Sequence, residues 1–189
     1  MGVDGIGPVL LLVTAVTWFV LELRGLRTRR DDADDRDRGS MLVLRVSTVA
    51  AFVLAALVAY AVPGAAYPRV LAYALALTLL WLGIAIRWRS RAALGRYFTY
   101  RVRTSTDQPV VTSGPYRWVR HPAYLGMALA LLGFACVLGN WLSLLVFVPV
   151  MLVGVVYRIR VEEAALLAAV GDDYAAYCRG RARLVPGVW

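Results

Sequence analysis

Arg120-His121-Pro122 sits inside GPYRWVRHPAYLG, residues 114–126, and holds the only histidine of the chain. An apolar run, Met127 to Leu138, follows directly. Proline is favoured at the first position of a helix, where its missing N–H would be unpaired anyway. Pro122 is therefore expected to start a helix, with His121 at the cap position and Tyr124, Leu125 and Gly126 in the first turns. The free N–H groups and positive dipole end of such a helix suit an anionic group. Arg120, Arg117 and the one near-neutral titrating side chain stand beside it. Interfacial anchoring accounts for the same residues one by one, since arginine snorkels and tyrosine anchors at a bilayer surface.

Two further groups carry chemistry. Glu162 and Glu163 are two of the three glutamates in the protein. Adjacent helical residues point about 100° apart, so at most one of them aims squarely into a site. They read either as first-turn acids paired with Arg158 or Arg160, or as acceptors for a ligand's hydroxyls or amine. The terminal DDYAAYCRGRARLVPGVW adds Tyr174, Tyr177, Arg179, Arg181, Arg183 and Pro186. Alternating arginines of this kind also bind lipid headgroups.

Several chemistries are missing. There is no lysine, no Walker-type glycine loop, no G-x-S-x-G and no Rossmann G-x-G-x-x-G. A cofactor must be held by something other than a doubly wound α/β domain. Cys136 and Cys178 lack metal-ligand spacing and lie in segments of different polarity, so neither a zinc site nor a disulfide framework is expected.

The elements that must position these residues are apolar. Of 189 residues, 60% are hydrophobic, and five apolar stretches stand out at 6–23, 41–62, 69–87, 123–138 and 141–157. The first three approach the ~20 residues of a spanning helix, and the last two are shorter. Leu138-Gly139-Asn140-Trp141 joins those two as a tight helical hairpin, and Pro63-Gly64 with Pro68 marks a turn between the second and third. The acidic start, MGVDGIG, and the lack of a small-residue cleavage site point to a retained helix rather than a signal peptide.

All 21 basic residues are arginine, giving a net charge of +9. They cluster in 24–40, 87–120 and 158–183, while the turns near 63–68 and 139–140 hold almost none. This distribution is what membrane orientation requires and disfavours nucleic acid as a partner. It puts 24–40, 87–122 and 158–189 in the cytoplasm and the N-terminus outside. The loop RTRRDDADDRDRGS reads as a solvated linker, because its arginines neutralise an acidic cluster that would otherwise suggest calcium. Beyond 157, RIRVEEAALLAAV reads as a cytosolic helix ending at Gly171, with Asp172 capping a second short one. The expected fold class is all-α: five transmembrane helices, the last two a tight hairpin, plus a cytosolic C-terminal helical segment.

In this order, GPYRWVRHPAYLG, a helical hairpin, EE and GDDYAAYCRGRARLVP resemble the isoprenylcysteine carboxyl methyltransferase family and related membrane phospholipid methyltransferases. The likeness covers roughly residues 80 to 189, including LGRYFTYRV. It implies an integral membrane enzyme that binds S-adenosylmethionine on the cytosolic side, without a metal, and receives its acceptor laterally from the bilayer. Tyr116, Arg120, His121, Pro122, Tyr124 and Gly126 match the first motif. Glu162 and Glu163 match the paired acids, and Tyr174, Tyr177, Arg183 and Pro186 match the tail. The resemblance divides a single structural unit into helices 1–2 with the charged loop (1–67) and a methyltransferase core (68–189).

The chemistry of the residues fits that cofactor. Donors at the His121–Pro122 helix start and Arg120 suit its carboxylate, Glu162 or Glu163 its diol or amine, and Leu125 with the tyrosines its adenine. Arg183 is the candidate for holding an anionic oxygen of an isoprenoid-like lipid acceptor, which needs no base; an amine or thiol acceptor would call on His121 or a glutamate. A phospholipid amine or small thiol is the alternative acceptor. A catalytically silent assembly or transport component is the alternative of another class.

Overall fold

The computed structural model describes residues 3–26, 34–98, 103–104 and 109–189. Most of the charged run RTRRDDADD and part of LGRYFTYRV lie outside the described residues. The architecture is helical: α1 (Val3–Leu26), α2 (Ser40–Ala61), α3 (Arg69–Leu94), α4 (Pro122–Cys136), α5 (Trp141–Val170) and α6 (Asp172–Cys178). A two-residue antiparallel ladder, Asp34–Asp35 with Arg103–Thr104, ties the loop after α1 to the loop after α3.

Four helices, α1, α2, α3 and α5, are long and apolar enough to cross a membrane, and α4 is a shorter apolar helix. This is a multi-pass, all-helical membrane protein. Of the five transmembrane helices expected, the fourth is thus only 15 residues long, about 22 Å at 1.5 Å per residue against a hydrocarbon core of about 30 Å. A second difference lies at 157–158. The helix does not stop there but runs unbroken to Val170, because nothing between Tyr157 and Gly171 breaks it and Arg, Glu, Leu and Ala all favour helix. Glu162 and Glu163 are consequently deep in α5 rather than in the first turn of a separate one. Gly171, at φ +62°, ends α5 and also caps α6, the place expected of Asp172.

Small residues set the packing. On the α3–α4 seam, a Cβ added to Gly126 would meet the Arg87 nitrogen and the Gly83 oxygen, both at 2.7 Å. A Cβ on Gly133 would meet the Ala76 oxygen at 2.9 Å. On the α2–α5 seam, a Cβ on Gly154 would meet the Leu44 Cα at 2.8 Å. Without a hydrophobic drive between helices in lipid, such close backbone approach is what holds them together. The result is two layers, α2 with α5 and α3 with α4, with α1 packed against α3. The α4–α5 hairpin joins the layers and a cleft separates them.

The far ends of the layers are stitched. The Tyr67 N–H donates to the Gly139 carbonyl at 2.8 Å, Asn140 Nδ2 to the Val62 carbonyl at 2.8 Å, and the Tyr67 hydroxyl to the Cys136 carbonyl at 2.9 Å. Asn140 also caps α5 by accepting from the Ser143 N–H. Backbone groups at a turn in or near hydrocarbon need such partners. Phe147, Val155, Ile159, Ala51 and Ala55 form the heart of the core between α2 and α5, while Leu42, Val46 and Val53 of α2 are exposed where lipid would lie.

Candidate functional site

At the other end of the cleft lies a cavity of about 440 Å³, within the usual size of a ligand site. Its wall begins at the turn Gly114–Arg117 and continues through Val119, which pairs with Ala182 in a parallel bridge. The Arg120 N–H donates to the Ala182 carbonyl at 2.9 Å and the His121 N–H to the Arg183 carbonyl at 3.0 Å. The Arg120 side chain reaches the Arg181 carbonyl at 2.8 Å and the Cys178 carbonyl at 3.2 Å. The Tyr177 hydroxyl donates to the Tyr116 carbonyl at 2.8 Å. The C-terminal tail is thereby sewn to the histidine-proline segment. Burial pushes the Tyr177 phenol up to about 12 and the Tyr116 phenol well above its ordinary value, so both stay neutral at physiological pH.

The two glutamates have separate work. Glu163, 8% exposed, gathers Arg120 at 3.0 Å, Arg183 at 2.8 Å and His121 Nε2 at 3.3 Å. Glu162 lines the cavity and accepts from the Tyr124 hydroxyl. The 100° offset between neighbours on α5 divides a brace from a cavity wall.

Of the residues expected at the site, Tyr116, Arg120, His121, Tyr124, Glu162, Tyr174 and Tyr177 line the cavity together. Five others do not. Pro122 is buried as the first residue of α4, under the cap residue His121. Leu125 packs against the hydrophobic core, and Gly126 faces Gly83 and Arg87 across the α3 seam. Glu163 and Arg183 are held by each other, and the Arg183 guanidinium stacks on Trp189 with its carbon 5.1 Å from the ring centre. Arg183 meets Glu163 through Nε alone and is about one-third exposed.

The expected reading missed five charged residues in or beside the cavity wall, one of them Arg45 of α2. Arg87 of α3, buried, binds Glu22 of α1 with Nε at 2.5 Å and Nη2 at 3.0 Å, and donates to the Ala123 carbonyl at 3.0 Å. Arg158 of α5, the largest fully buried side chain, contacts Asp37 at 2.6 Å, Ser40 at 2.7 Å and the Tyr124 hydroxyl at 3.0 Å. Asp37 belongs to the loop expected to be a solvated linker; it is 8% exposed and also accepts from the Met41 N–H at the start of α2. A chain of contacts thus runs from Asp37 through Arg158 and Tyr124 to Glu162. The available signal was an ionisable residue beside or inside an apolar run, which in a membrane protein needs a partner.

Residues 75–168 match the model of the "Isoprenylcysteine carboxyl methyltransferase (ICMT) family". That segment belongs to the family. Over 104 residues the chain is 38% identical to the protein-S-isoprenylcysteine O-methyltransferase of Schizosaccharomyces pombe, covering 54% of this chain and 44% of that one. Over 101 residues it is 36% identical to the enzyme of the same name from Saccharomyces cerevisiae, covering 52% and 42%. It also resembles the solved structure of the eukaryotic intramembrane Ras methyltransferase ICMT, at a TM-score of 0.63 and 26% identity, over 76% of this chain and 52% of that one. The chain spans less than half the length of these two relatives. The matched ICMT segment runs from within α3 to within α5 and includes Arg87, His121, Arg158 and both glutamates. Glu22, Asp37, all of α2 and the tail with Tyr174, Tyr177 and Arg183 stand outside it.

Proposed function

We propose that this protein is an integral membrane methyltransferase that moves a methyl group from S-adenosylmethionine to an anionic oxygen of a lipophilic acceptor. The acceptor class is a carboxylate or phosphate on an isoprenoid-like chain, with a prenylated cysteine carboxylate as the first candidate. The supporting observation is a single cavity with a polar end and an apolar end. Arg120, His121, Glu162 and Tyr174 line one part, and Leu44, Val49, Met127 and Leu131 line the other.

The residues present fit the cofactor. Among the described residues, the Tyr174 hydroxyl buried in the cavity wall has only the weakly bonding Cys178 thiol beside it, which is costly unless a ligand meets it. Glu162 offers a carboxylate for the diol or amine, and the start of α4 beside Arg120 offers positive potential for the carboxylate. When bound, S-adenosylmethionine supplies a methyl group on a positively charged sulfur, open to in-line displacement. Bound there, it would let an acceptor oxygen take the methyl carbon while the departing sulfur kept the electrons of the broken bond, leaving this chain to position the two reactants. An already anionic oxygen has no proton to lose, so the chain has to orient and keep water out rather than act as base. Glu163, Arg183 and Arg120 hold His121 and the tail in place, and the tyrosines close the wall. The arginine distribution supports a cytoplasmic site and C-terminus with the N-terminus outside.

The test incubates detergent-purified protein with radiolabelled S-adenosylmethionine and S-farnesylcysteine. Label in an alkali-labile lipid product is expected. Alkali-stable label, or no label and no cofactor binding, overturns the proposal.

A further inference from the structure

Four arginines line the cavity: Arg45, Arg87, Arg120 and Arg158. Three are committed to protein partners. Arg87 is held by Glu22, Arg120 by Glu163 and two carbonyls, and Arg158 by Asp37, Ser40 and Tyr124. Arg45 is different. Among the described residues it makes no ion pair, no hydrogen bond through its side chain and no ring contact. It stands one and a half turns into α2, an apolar helix outside the segment that the family model matches.

Arg45 is exposed, at the edge of the cavity, on a defined helical face. Met41, Leu44, Arg45, Thr48 and Val49 are the α2 residues lining the cavity, and their three- and four-residue spacing makes one helical face. Arg45 is the one charge on that face. Both α2 and α4 run away from the polar end, since each begins beside it. Further along them, Phe52 of α2 and Phe134 of α4 line an apolar groove with Leu11, Leu12 and Ala15 of α1. Leu131 borders both the groove and the cavity. From Arg45 to Phe52 the helix rises about 10 Å at 1.5 Å per residue. A cation at the head of an apolar track fits an amphiphile with an anionic head.

We propose that Arg45 is the residue that receives the anionic oxygen of the acceptor, its carboxylate or phosphate, and so selects acids over neutral lipids. The assignment rests on the methyltransferase reading and is made in place of Arg183, which is not among the residues lining the cavity. A guanidinium suits the task because it presents a planar fork to a carboxylate and stays charged at every working pH.

The experiment uses the full chain in zwitterionic nanodiscs, as wild type, Arg45→Gln and Arg45→Lys. It follows two readouts. The first is the KM for S-farnesylcysteine, together with kcat and the KM for S-adenosylmethionine. Arg45→Gln should raise the acceptor KM by about tenfold or more, the loss of a charge-assisted contact, with the cofactor KM unchanged, and Arg45→Lys should recover part of it. The second needs no turnover: the thermal shift produced by S-farnesylcysteine against that of its carboxamide. Wild type should prefer the acid and Arg45→Gln should not discriminate. An unchanged acceptor KM and an unchanged acid preference in Arg45→Gln overturn the assignment. They leave Arg45 as an anchor for lipid phosphate, which loss of its contact with phosphatidylglycerol discs would show. Failure of the methyltransferase reading looks different, because wild type would then bind no S-adenosylmethionine while the acid preference could still be measured.

Discussion

Glu163 and its neighbour show how much one side chain can decide. Glu163 has three positively polarised partners and little solvent, so removing its charge strands Arg120 and His121 in a poorly hydrated place. Glu163→Gln should cost about 3 kcal/mol of stability, the order seen when one member of a buried pair is lost. Glu162→Gln should leave the thermal midpoint in detergent nearly unchanged while weakening cofactor binding by about tenfold. Thermal unfolding and equilibrium binding on the two variants check this directly; matching losses in both would show that the two glutamates are not divided as described. Position 163 was legible as part of a pair but not as the brace, because only the phase of α5 tells which acid turns inward. Asp37 was not legible at all. It sits among five aspartates and six arginines in 24–40, and nothing local distinguishes the one that meets Arg158 from the others.

At the scale of elements, hydropathy located all five apolar helices, since a bilayer demands long apolar runs. It misplaced the C-terminal ends of two of them, α3 and α5. Charged residues at 87–91 and 158–163 read as the edge of the membrane, yet α3 and α5 carry them onward as helix to Leu94 and Val170. The polar extension is what brings Arg158, Glu162 and Glu163 over the start of α4. Gly126 has a packing role that its place in the motif did not announce. Its place in the motif suggested a cofactor contact, whereas its missing Cβ lets α4 approach Gly83 and Arg87. Gly126→Ala should force the seam apart, costing about 1–3 kcal/mol by overpacking against backbone. It should also lower cofactor affinity, because Arg87, whose backbone the new methyl would press, lines the cavity and donates to the carbonyl of cavity-lining Ala123. A thermal midpoint equal to wild type would show that the seam has room to spare.

For the whole molecule, the arginine asymmetry predicts a fixed orientation. Among exposed positions, Gly64 lies in the α2–α3 turn and Val188 in the tail, 80% exposed. With native cysteines replaced, Gly64→Cys should react with a membrane-impermeant maleimide in intact cells and Val188→Cys only in inverted vesicles. Labelling of both from one side would overturn the topology. Two layers sharing one hairpin also explain why the site could be assembled in outline from separated motifs. The histidine-proline segment, the paired acids and the tail are brought together because α4 and α5 are antiparallel and joined by a short turn. What escaped was the contribution of α1 and α2, whose charged residues meet the core only through the three-dimensional packing.

The stitched turn at Tyr67, Gly139 and Asn140 sets the depth of the proposed site. With that turn at one membrane surface, an α4 about 22 Å long leaves its His121 end some 8 Å short of the opposite hydrocarbon boundary. On the methyltransferase reading, the acceptor's head would meet the cofactor beneath the headgroups, and its chain would never have to leave the oil.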